Sequence, residues 1–151
     1  MNGDRYYADN TRYKSDGERR IAEFLDSVKI DHVYEPSVLL NDNGYQRIWY
    51  PDLGLPRYDV FIEYFGIVND PIYDDRTRHK LDVYRQNSIE VIPVYPSHLR
   101  NDYGRYILDE LYRNVSSRMS DLERTIQNYS NQRHPGTSRR SAGYSPRSPR
   151  Y

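Results

Sequence analysis

Apolar positions recur with a helical period from Ser15 to Val28. Ile21, Leu25 and Val28 lie along one face, Ser15 stands before them as an N-cap, and Glu18 follows three residues later, the spacing of a capping box. Three strand segments come next. His32 to Leu40 is the first, and Asn41-Asp42-Asn43-Gly44 is a turn signal leading into the second, Tyr45 to Leu53; a Gly54-Leu55-Pro56 break precedes the third, Tyr58 to Val68. Asp74 to Asn87 reads as a helix with Thr77, Lys80, Leu81 and Tyr84 along one side. Ile89 to Tyr95 is a short, nearly continuous apolar run, the mark of a strand buried on both faces. From Asn101 to about Gln127 the apolar residues Leu108, Leu111, Val115, Met119, Leu122 and Ile126 are spaced 3, 4, 4, 3 and 4 apart, again helical. This order predicts an α/β or α+β sandwich in which one mixed central β-sheet is flanked by helices.

Composition narrows the class. The chain has 151 residues, the size of one ordinary domain, and its apolar share of 36% is below the usual ~45–50%. Seventeen tyrosines, already counted in that share, are large side chains that can fill a core and keep a polar tip. The absence of cysteine removes disulfide frameworks, thiolate nucleophiles and thiolate zinc sites together, and the four histidines, at 32, 79, 98 and 134, have no metal-binding spacing. MNGDRYYADN at the start has no apolar run like that of a signal peptide, and Tyr58 to Val68 is too short to span a bilayer. The expectation is a soluble cytoplasmic protein without a membrane partner.

The charges, 22 basic against 22 acidic, sum to zero but are segregated. From Ser130 onward there are five arginines and no acid, whereas Asp31 to Asp75 holds nine acids against Arg47 and Arg57 alone. The Ser/Arg/Pro-rich end is expected to be disordered and suited to phosphate, and the first dozen residues equally loose. The expected organisation is therefore a flexible segment 1–12, a core over 13–100, a C-terminal helix over 101–128 and a basic tail over 129–151. Net neutrality excludes a globally basic nucleic-acid binder but not one whose acids surround a cation and whose bases reach phosphate.

The acidic middle contains the candidate chemistry. Pro51-Asp52 ends the second expected strand, and Glu63 lies in the third, so a hairpin brings two carboxylates together at the ends of adjacent strands. Such a pair suits a hard divalent cation that retains water and phosphate oxygens. Strand parity places Glu63 with Asp59, Phe61 and Phe65 and opposite Val60, Ile62 and Tyr64, in a segment apolar on both faces. A carboxylate there requires compensation.

Five segments in order, KSDGERRIAEFL (Lys14–Leu25), VYEP (Val33–Pro36), YPDLGLP (Tyr50–Pro56), VFIEYFG (Val60–Gly66) and KLDVY (Lys80–Tyr84), resemble the motifs of the PD-(D/E)XK nucleases. The resemblance spans roughly residues 14 to 100 and implies a restriction-endonuclease-like core, DNA as substrate and Mg²⁺ as cofactor, with Mn²⁺ able to replace it. It implies that Asp52, Glu63 and the backbone carbonyl of Tyr64 ligate the metal. The lysine usual two residues after the second acid is replaced by Phe65, and Lys80 on the following helix stands in for it, as in the branch of the family with a relocated lysine. Its implied role is to orient or activate the attacking water and to offset phosphate charge. Glu18 matches a first-helix acid and Glu35 another recurrent one. Glu18 also suits a simple capping role, and the two uses are compatible.

Arg76, Arg78 and Tyr84 are candidate nucleic-acid contacts, by phosphate pairing and base stacking, although tyrosines on amphipathic elements also serve as core edge. The stripe beyond Val115 is a candidate homodimer surface, and a partner protein supplying specificity is compatible with a core that has no appended recognition module. Two rivals to an endonuclease remain: a nuclease-fold DNA-binding module that has lost catalysis, consistent with Phe65, and an assembly protein built on the last helix.

Overall fold

The computed structural model describes residues 12–133. The expected N-terminal segment and basic tail fall almost wholly outside these residues. The chain divides into two compact units, Met1–Ser116 and Ser117–Tyr151. In the first, α1 (Asp16–Ser27) is followed by strands β1 (Val33–Tyr34), β2 (Val38–Asp42), β3 (Tyr45–Trp49), β4 (Leu53–Leu55) and β5 (Val60–Tyr64). Helix α2 (Pro71–Gln86), strand β6 (Val91–Val94), the short helix α3 (Pro96–Leu99) and the long helix α4 (Tyr103–Arg133), which continues into the second unit, complete the order. No helix of the described residues is long and apolar enough to cross a membrane.

The mixed α/β class is as expected, but two sheets replace the single one. A four-stranded sheet has the order β1-β4-β5-β6, antiparallel except for the parallel β5–β6 pair, and β2 and β3 form a separate two-stranded hairpin. The expected strand His32 to Leu40 is broken at Glu35-Pro36. Glu35 adopts a left-handed φ of 46° and proline cannot donate to a ladder, so β1 pairs with β4 while β2 turns away to pair with β3. The expected strand Tyr45 to Leu53 is likewise divided, at Tyr50-Pro51-Asp52, and its end belongs to the other sheet.

Gly54 and Leu55, expected to belong to a Gly54-Leu55-Pro56 break, instead form with Leu53 a wholly buried strand inside the larger sheet. Gly54 is required there by space, because a Cβ would lie 2.9 Å from the Pro36 ring. Asn43 and Gly44, with φ of 52° and 86°, make the two-residue turn that closes the β2–β3 hairpin. Helix α2 begins three residues earlier than expected, since Asp70 caps it through Ile72 N–H at 2.9 Å and Pro71 occupies the first turn.

Two apolar clusters lie on opposite faces of the larger sheet. Val60, Ile62, Ile92 and Val94 pack with Ile21 and Leu25 of α1 and with Ile107 and Leu111 of α4. On the other face Val83 and Tyr84 of α2 pack with Leu40, Trp49 and Val91, so α2 and the hairpin cover that side. Strand β5 is therefore buried on both faces, and its parity decides which side chains meet α1 and which meet α2.

Candidate active site

Glu63 occupies the α2 face of β5 and is only 2% exposed. Its two oxygens are engaged separately from one helix: Lys80 Nζ donates to Oε2 at 2.7 Å and the Tyr84 hydroxyl donates to Oε1 at 2.5 Å. Lys80 and Tyr84 are four residues apart, hence stacked on one side of α2. Asp52 immediately precedes β4, where the antiparallel register sets Leu53 opposite Ile62. Its Oδ2 accepts from the backbone N–H of Tyr64 at 2.7 Å, which fixes the carboxyl beside the end of β5. Backbone alternation places the carbonyl of Tyr64 on the same edge of the strand as that N–H.

Glu18 arrives from α1. It is 6% exposed, and its Oε1 accepts from the Ser15 hydroxyl at 2.8 Å while the Ser15 Oγ accepts from Glu18 N–H at 3.1 Å. Its Oε2 accepts from the Tyr34 hydroxyl at 2.7 Å and from Lys14 N–H at 3.2 Å. One oxygen of Glu18 thus closes the cap with Ser15 while the other is held by Tyr34. Gly17 beside it makes the approach possible, because a Cβ there would overlap the Tyr64 ring, 2.2 Å away. Glu35 is tied to the same edge by its N–H, which donates to the Asp52 carbonyl at 3.0 Å, and its carboxylate pairs with the Lys14 ammonium.

These groups perturb one another. Burial pushes the Asp52 carboxyl up to about 7; the charge of Glu63 adds to the rise, the Tyr64 N–H opposes it, Glu18 adds again and Lys80 opposes. Burial also raises Glu63, against the pull of Lys80 and the Tyr84 hydroxyl. The Tyr84 and Tyr34 hydroxyls are both held upward, first by burial and then by the carboxylate each one serves. Glu35 raises Lys14, with smaller contributions from Glu18 and Asp52. Four carboxyls, Glu18, Glu35, Asp52 and Glu63, therefore share two ammonium groups, Lys14 and Lys80. Full ionisation leaves two negative charges unbalanced.

A cleft of about 550 Å³, lined by Lys14, Glu35, Ile48, Trp49, Tyr50 and Lys80, opens beside the cluster. Lys80, Trp49, Arg76 and His79 line a second, of about 420 Å³. No family model, curated protein or solved structure matches this chain. The site's own geometry and chemistry therefore carry the functional argument.

Glu18, Asp52, Glu63 and Lys80, expected from sequence to share a site, are coupled in the fold, and Tyr64 and Glu35 lie beside them. Among the described residues no group of three or more His, Cys, Asp or Glu is drawn together closely enough to hold a metal ion. The donor set still fits Mg²⁺, which takes one or two carboxylates and leaves its remaining positions to water and phosphate oxygens. Asp52 and Glu63 are the two carboxylates that would supply those hard oxygens, and a divalent cation would offset their mutual repulsion.

Arg76 is exposed, with its guanidinium 5.6 Å from the Tyr73 ring, and Arg78 pairs with Asp75 at 3.2 Å. Tyr84 is 1% exposed and so presents no ring face to a base; its place is beneath Glu63. Lys14 and Tyr34 are the site residues that sequence reasoning missed. Lys14 begins the first motif and reaches Glu18 locally through its N–H, whereas Tyr34, which immediately precedes Glu35, is brought to Glu18 and to the Lys14 N–H by the fold.

Proposed function

We propose that this chain is a Mg²⁺-dependent endonuclease that hydrolyses DNA phosphodiester bonds. The observation that carries the reading is the charge imbalance of a buried site: Glu18, Asp52 and Glu63 come from three different elements, and burial and mutual repulsion lift Asp52 to about 7. Asp52 and Glu63 hold the ion, together with the Tyr64 carbonyl. The cation, when bound, supplies neutralising charge and acidifies water in its shell. Lys80 bridges Glu63 and the open cleft, a third exposed, and from there offsets phosphate charge or orients the attacking water. Tyr84 holds the opposite oxygen of Glu63 and fixes its rotamer. Glu18, itself fixed by Ser15 and Tyr34, positions a water on the α1 side.

The test is cleavage of supercoiled, linear and branched DNA in Mg²⁺ or Mn²⁺ by the parent protein and by Asp52→Asn, Glu63→Gln and Lys80→Ala. Losses of roughly a hundredfold or more are expected for each. Calorimetric titration with Mn²⁺ gives an independent readout and should show binding lost in Asp52→Asn. Equal cleavage by all four proteins would overturn the reading.

A second reading, a nuclease-fold DNA-binding module without catalysis, is favoured by Phe65, which stacks on Tyr95 at 5.6 Å where the usual lysine would stand. It expects salt-dependent DNA binding with no cleavage in any metal. Activity abolished by Lys80→Ala excludes it.

A further inference from the structure

We propose that the distal part of α4, within the unit Ser117–Tyr151, forms a parallel two-stranded coiled coil with a second copy of this chain. Every residue from Met119 to Gln132 is exposed, including the large apolar side chains Met119, Leu122, Ile126 and Tyr129 at 52–56%. Their spacing of 3, 4 and 3 is the a/d alternation of a heptad, with Met119 and Ile126 at a and Leu122 and Tyr129 at d. A β-branched residue at a with Leu at d is the combination that favours two strands. The opposite side is polar and self-contained, with Asp121 pairing to Arg124.

The charges flanking the stripe select the occupant and its direction. Arg118 precedes Met119 at a g position and Glu123 follows Leu122 at an e position, five residues on. In a parallel dimer a g residue faces the e residue five positions later on its partner, so each Arg118 meets a Glu123 and two ion pairs form. In the antiparallel register that stacks Leu122 on Ile126 and Met119 on Tyr129, the two Glu123 side chains face each other instead. Residues 134–151 contain no Leu, Ile, Val, Met, Phe or Trp with which to fill the stripe.

The test is the mass of the full-length protein by light scattering and sedimentation equilibrium, and it is independent of whether DNA is cut. The parent is expected to be a dimer and Leu122→Glu a monomer with unchanged helix content by circular dichroism, since Leu122 lies outside the apolar clusters of the first unit. Arg118→Glu and Glu123→Arg should each weaken self-association by roughly two- to tenfold, while an equimolar mixture of the two recovers a dimer through reciprocal pairs. Glu123→Gln separates the directions: weaker association supports the parallel pair, and tighter association means the antiparallel one and overturns it. A monomeric parent, a larger assembly, or a dimer untouched by Leu122→Glu also overturns the proposal.

Discussion

The two faces of β5 are equally dry and are held by different physics. Ile62 is 0% exposed and Glu63 is 2% exposed, yet the first packs among α1 and α4 side chains while the second meets an ammonium and a phenol on α2. Removing Ile62 from water is itself favourable. Removing Glu63 is unfavourable and is tolerated because both oxygens are hydrogen-bonded, one by a cation. The apolar face of the strand thus secures the fold, and its polar face holds a charge arrangement that the fold must support. Instability tolerated at one site and offset elsewhere is a common mark of a functional centre.

Three substitutions sharpen that contrast. Ile62→Ala should have the largest effect, a loss of about 2–5 kcal/mol in urea denaturation that does not vary between pH 5 and 8. A pH-dependent loss there would mean that the two faces are energetically coupled. Tyr84→Phe should cost about 1.5–3 kcal/mol, the worth of a hydrogen bond to a charged group, with the ring packing retained. An unchanged midpoint would show that Glu63 does not depend on the hydroxyl.

Asp52→Asn should have the smallest effect and the opposite sign. The folded Asp52 titrates near 7, above the ordinary carboxyl value of 3.8, so between these values the folded chain holds a proton that the unfolded chain has released. Its contribution is complete below the ordinary value and is lost as the pH rises through about 7. In metal-free buffer at pH 8 the Asn variant is therefore expected to be more stable than the parent by on the order of 1 kcal/mol, while still accepting from Tyr64 N–H. Equal stability across pH 4 to 9 would remove Asp52 from the strained face.

Much of the helical part of the fold was legible because its signals are local. Ser15 and Glu18 cap α1 as their spacing indicates, and Thr77, Lys80, Leu81 and Tyr84 lie on the partly or fully buried side of α2. The strands were harder, since proline and glycine mark a strand's end and its close packing alike. Pro36 does end β1, whereas Gly54 sits mid-strand because Pro36 crowds it. At the site, Asp52, Glu63 and Lys80 were legible as residue types at a spacing. The service of Tyr84 to Glu63 was not, because a tyrosine at a helix's inner edge looks the same whether it stacks on a ligand or bonds to a buried acid. Tyr34 and the Lys14 ammonium were hidden for a related reason: their partners, Glu18 and Glu35, lie far off in sequence and meet them only in the fold.

The parallel pairing of β5 with β6 has a kinetic consequence. The β2–β3 hairpin and α1 close over short stretches of chain, but β6 cannot meet β5 until all of α2 has been traversed, and such long closures come late. Lys80 and Tyr84 ride on that same connecting helix. The short β4–β5 connection, by contrast, brings Asp52 and Glu63 together early, so their repulsion is felt before the ammonium and phenol that compensate Glu63 arrive with α2.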